Sequence, residues 1–126
     1  MDDQFDTPAT LRSAPLVNPA LLEHLLNVGG ADLRPVLAQQ ICADFTRLAG
    51  AIQAVDGADV ARAAHELKGL AATVGADTLA QMACALNAAA PTLGAGARQA
   101  RLRPVAAEIV AVVAFLRRVE SGPAPR

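Results

Sequence analysis

The sequence predicts an all-α fold, on three observations. Apolar residues recur at the three-four spacing of amphipathic helices through most of the chain. Aromatic residues make up only 2%, Trp and Tyr are absent, and β-branched runs are too sparse for a sheet. The breaks between periodic segments are short and marked by Gly, Pro, Asp or Asn, which implies successive helices packed up and down, antiparallel. At 126 residues the chain is one domain, long enough to bury a core without disulfides or a metal.

Each element has its own signals. Met1 to Leu16 is polar, contains Pro8 and Pro15, and reads as a flexible N-terminal tail (residues 1–16). Asn18-Pro19 is a cap followed by a first-turn proline, starting a helix that runs to Val28 and stops at Gly29-Gly30. Asp32 is placed to cap the second helix, whose stripe is Leu33, Leu37, Ile41, Phe45, Leu48, Ile52 and Val55. Pro35 is tolerated there because it falls in the first turn. Asp56-Gly57 breaks the chain before a third helix, with Asp59 near its first turn. Ala76 or Asp77 starts the fourth helix, with Leu79, Met82, Ala83 and Leu86 inward. Pro91 to Gly96 is a loop. The last helix carries Leu102, Val105, Ile109, Val112, Val113, Leu116 and Val119, and Pro104 predicts either a kink or a start nearby. The bundle then spans residues 17–120, and 121–126 form a disordered C-terminal tail. Met1 and the two polar tails lead us to expect a stand-alone protein.

The third helix is the informative one. Its stripe is Val60, Ala63, Ala64, Leu67, Leu70, Ala71 and Val74, and Gly75 follows as a left-handed C-terminal cap. Removing that stripe leaves Ala61, His65, Lys68, Gly69 and Ala72 near a common opposite face. His65 and Lys68 are neighbours there, about 60° apart around the axis. Gly69 costs the helix about 1 kcal/mol relative to alanine, which suggests that something large approaches the backbone at that point. Ala61 and Ala72 keep the flanks low. On periodicity alone His65 is equally a solvated surface side chain, with Arg62 and Glu66 paired one turn apart. The functional alternative is a phosphoryl carrier. Neutral imidazole is a nucleophile that can attack an already activated phosphoryl donor. Lys68 is a point charge that can neutralise the phosphoryl oxygens.

His65-Glu66-Leu67-Lys68-Gly69, followed by Ala71, Val74-Gly75-Ala76 and Leu79, resembles the signature of histidine-containing phosphotransfer (HPt) domains. The likeness extends to Leu21-Leu22, Leu25-Leu26, Gly29-Gly30, the helix through Phe45, and Asp56, covering roughly Val17 to Val119. It implies an all-α, antiparallel up-down four-helix bundle with an additional N-terminal helix. It further implies a phosphorelay intermediate without autonomous kinase activity, taking a phosphoryl group from a response-regulator receiver aspartate and giving it to another receiver. His65 would be the acceptor through Nε2, Lys68 would stabilise the phosphoryl group, and Gly69 would give the receiver room. Asn87 stands where the family often has a longer polar residue that bonds the other ring nitrogen. Ala58 stands where a bulky aromatic is common. The partners implied are receiver domains and a hybrid sensor histidine kinase. The rival is a relative that docks receivers or kinases without accepting phosphate.

Other classes fit poorly. His-Glu-x-x-His would need a histidine where Gly69 stands, so the zinc-protease helix fails. Sensor-kinase dimerisation helices normally continue into Thr-Pro or Asn-Pro, whereas Gly69-Leu70 follows here, and Gly94 and Gly96 lack the Gly-Lys-Ser/Thr ending of a phosphate loop. A net charge of −1 gives no nucleic-acid footprint. The apolar stretch from Val105 to Leu116 contains Glu108 and is too short to span a bilayer. The N-terminal residues have no apolar run and read as no secretion signal, so we expect a cytoplasmic protein; we also expect it to be a monomer. Cys42 and Cys84 read as small core residues, His24 as a solvated histidine, and Arg98, Arg101 and Arg103 as a solvated face. No metal ligands are predicted, and any Mg²⁺ is expected on the partner receiver.

Overall fold

A computed structural model describes residues 15–121, so the readings made of residues 1–14 and 122–126 lie outside it. The described chain is all-helical: α1 (Pro19–Leu26), α2 (Arg34–Ala51), α3 (Gly57–Val74), α4 (Asp77–Ala89), a 3₁₀ turn (Ala90–Thr92) and α5 (Ala95–Ser121). Helices α2 to α5 form a ring in which each packs on its chain neighbours and α5 closes on α2, while α1 lies against α2 and α3. This is the up-down bundle with an additional N-terminal helix.

Local chemistry explains most of the boundaries. Asn18 Oδ1 accepts from the backbone N–H of Ala20 (3.0 Å) and Leu21 (3.2 Å), and Pro19 sits at the first helical position. α1 ends at Leu26 rather than Val28, and the chain reverses through Gly30 at φ 86°. Asp32 does not cap α2. Leu33 holds that place with φ −90° and ψ −12°, helical angles that rule out a side-chain cap, which needs extended backbone. The two ends of the predicted α2 stripe also differ: Leu33 is 52% exposed and Val55 89%, because both lie outside the helix, where its periodicity no longer applies. Asp56 caps α3 by accepting from Ala58 N–H at 3.0 Å. α3 ends at Gly75 (φ 80°, ψ 20°), with Ala76 N–H donating to Ala71 C=O at 2.8 Å.

α5 departs most from expectation. It begins at Ala95, well before Pro104, which lies inside the helix. Proline's fixed φ suits a helix, and the hydrogen bond it removes leaves the Ala100 carbonyl on an exposed turn where water can serve it. The core runs the length of the bundle: Phe45, Leu48, Ile52, Leu67, Leu79, Leu86, Ile109 and Leu116 are at most 1% exposed. α3 packs most extensively on α4, and Ala64 and Ala71 on α3 and Ala83 on α4 are fully buried, where a bare methyl lets helices approach closely. Cys42 is buried as expected, and burial pushes its thiol pKa up; Cys84, on the outer side of α4, is exposed.

Two arginines clasp the bundle. Arg34 donates to both carboxylate oxygens of Glu23 (3.0 and 2.9 Å) and to Asn27 Oδ1, and its Nε lies 3.5 Å from Glu120 Oε1, joining α1, α2 and α5. The guanidinium holds the Glu23 carboxyl below the usual carboxylate range. Arg98 is not part of a solvated face, although Arg101 and Arg103 are exposed. Half-buried, it donates to the carbonyls of Leu93 (2.7 Å), Ala90 (3.3 Å) and Val55 (2.7 Å). These carbonyls belong to the two connections at one end of the bundle, where helical partners run out. Arg98→Ala should therefore cost about 2 kcal/mol, a charged donor's worth of stranded acceptors, measured by denaturant unfolding. Gly57 completes this end: a Cβ there would stand 2.7 Å from the Ala90 carbonyl oxygen.

Candidate functional site

α3 turns two faces to different surroundings. Val60, Ala63, Ala64, Leu67, Ala71 and Val74 are buried, Leu70 is half-buried, and His65, Lys68, Gly69 and Ala72 are exposed. Ala61 is a correction: it is half-buried and packs against the core. Gly57 lies against the 3₁₀ turn, and Ala61 follows one helical turn later on the same side, so that turn shelters it. The cleared strip is thus His65, Gly69 and Ala72, with Lys68 along its α4 edge.

The side chains of His65 and Lys68 have no hydrogen bond or ion pair with any described residue. Both are available to an incoming group. A Cβ on Gly69 would have nothing within 4 Å, so nothing inside the fold demands a glycine there. Thr73 Oγ1 donates to the Gly69 carbonyl at 2.9 Å, giving that exposed turn a second acceptor bond. Asn87 is half-buried on α4 and makes no side-chain hydrogen bond with any described residue, so the structure does not join it to His65. His24 is exposed in the last turn of α1.

The charges on the α2 side are arranged differently from the local pairing expected. Arg62 pairs with Asp59, and Glu66 reaches across to Arg47 on α2. The Arg47 guanidinium lowers the Glu66 carboxyl pKa through their hydrogen bond. Nothing in the sequence marks this partnership, since the two residues are nineteen positions apart. Between α2 and α3, Leu48, Ala51, Ala54 and Ala63 floor a groove of about 430 Å³ that Asp59, Arg62 and Glu66 rim. A larger groove of about 550 Å³ between α2 and α5, lined by Ala38, Cys42, Arg117 and Glu120 among others, does not include His65.

The arrangement suits a surface reaction. An exposed imidazole, an ammonium one turn on with no partner among the described residues, and low neighbours can meet a group that another protein brings. Among the described residues no three His, Cys, Asp or Glu side chains gather as a metal site, and no helix is long and apolar enough to cross a membrane. No curated protein and no solved structure matches the chain significantly. A family model, for the Hpt domain, matches residues 32–122, which contain His65 but not His24. The match spans most of the chain and the whole four-helix ring, so the protein belongs to the Hpt domain family, phosphocarrier modules that act with receiver domains and histidine kinases in phosphorelays.

Proposed function

We propose that this chain accepts a phosphoryl group on His65 from a receiver-domain aspartyl phosphate and passes it to a second receiver. The Nε2 lone pair attacks phosphorus in line, the bond from phosphorus to the aspartyl oxygen breaks, and the carboxylate leaves with that electron pair. Transfer to the next aspartate runs the same step in reverse. Lys68 neutralises charge gathering on the phosphoryl oxygens. Any Mg²⁺ belongs to the receiver's acidic pocket, and no role is assigned to Asn87, whose side chain is not bonded to the ring.

The observation that carries this reading is the exposed His65 beside a Lys68 that pairs with no described residue, next to the exposed small residues Gly69 and Ala72, inside the matched region. Two variants test the neighbours. Lys68→Ala should slow uptake from a phosphorylated receiver about tenfold or more, with thermal unfolding unchanged; an unchanged rate removes its role. Gly69→Leu should fold at least as stably, since leucine gains roughly 0.5–1 kcal/mol of helix propensity in open space. It should still slow uptake, because the new side chain stands where the receiver docks.

A further inference from the structure

The charges beside His65 belong to pairs that the fold does not need. Arg47 and Glu66 are each more than half exposed (54% and 55%), as are Arg62 at 73% and, nearly so, Asp59 at 49%; exposed pairs of this kind contribute little to folding. Their position gives them another use. Glu66 follows His65 in the chain, so the two Cα atoms are about 3.8 Å apart. A specific interface covers about 800 Å² on each partner, a disc of roughly 16 Å radius. Arg62 and Asp59 lie about 4.5 and 9 Å along the helix axis from His65. Any protein docked squarely over His65 therefore covers both pairs, together with the apolar groove floored by Leu48, Ala51, Ala54 and Ala63.

Covering these charges strips their water. A partner is tolerated where it offers acids to the arginines and bases to the carboxylates, and is rejected where like charges meet. We propose that the Arg47–Glu66 pair is a specificity determinant, selecting which receivers dock over His65. The favoured receiver sets an apolar side chain into the groove and flanks it with groups complementary to this alternating rim. The proposal rests on the phosphocarrier reading above and adds the basis of partner choice.

The test uses a panel of phosphorylated receiver domains and four forms of the chain: native, Arg47→Glu, Glu66→Arg and the swap carrying both. Each single reversal should lower kcat/KM at least tenfold for the preferred receiver and change the order of preference. All three variants should keep a near-native thermal melt, since the pair is exposed, and the swap should not restore the native order. An order unchanged within twofold across all three variants overturns the proposal. The same receivers are titrated against each form in a His65→Gln background, which reads docking without chemistry. Docking that follows the pair while the native chain takes up no phosphate sinks the carrier reading alone. Docking indifferent to the pair sinks this inference alone if the native chain is phosphorylated.

Discussion

Replacing His65 with glutamine should abolish phosphoryl uptake altogether while leaving the stability of the chain within about 0.5 kcal/mol of the native value. Glutamine keeps a polar side chain of similar reach but has no nucleophilic nitrogen. The His65 ring is exposed and has no hydrogen bond to a described residue, so its loss leaves neither a cavity nor a stranded partner. The measurement is transfer from a phosphorylated receiver beside a urea melt of both proteins. Loss of folding in the variant would show that the ring is part of the packing, against its placement on the outer face.

The opposite face of the same helix should behave the other way. Leu67 is fully buried two residues from His65, inside the ring of helices. Leu67→Ala should cost about 3–4 kcal/mol, the transfer free energy of the lost atoms plus the cavity that neighbours only partly fill. Assayed well below its melting temperature, this variant should still take up phosphate at a near-native rate, because α3 continues to present His65 outward. Denaturant unfolding gives the first quantity and receiver-driven uptake the second. A small stability loss would contradict the position of Leu67 in the core.

What could be read in the sequence follows the range of the forces involved. The stripe of α3 from Val60 to Val74 was legible because every member lies inside one uninterrupted helix, where a period of 3.6 holds. The exposed set of His65, Lys68, Gly69 and Ala72 follows from the same periodicity. Ala61 did not, because its shelter comes from the turn at Ala90–Thr92, a tertiary neighbour. Leu33 and Val55 were misplaced for a related reason, since each continues a stripe past the end of its helix. Pro104 carried an ambiguous signal, for proline both fixes a helical φ and deletes a bond, and only the exposure of that turn decides between them. Partnerships across the bundle were invisible: Arg98 reaches Val55 across forty-three positions, and Glu66 finds Arg47 rather than Arg62.

The central claim is that the phosphoryl group sits on His65. The chain has two histidines, so the most direct measurement is to phosphorylate the native protein from a labelled receiver and locate the label by peptide mapping. The expected result is an acid-labile, base-stable label confined to the peptide containing His65. A label on the peptide containing His24, or no label from any receiver that demonstrably binds, would contradict it.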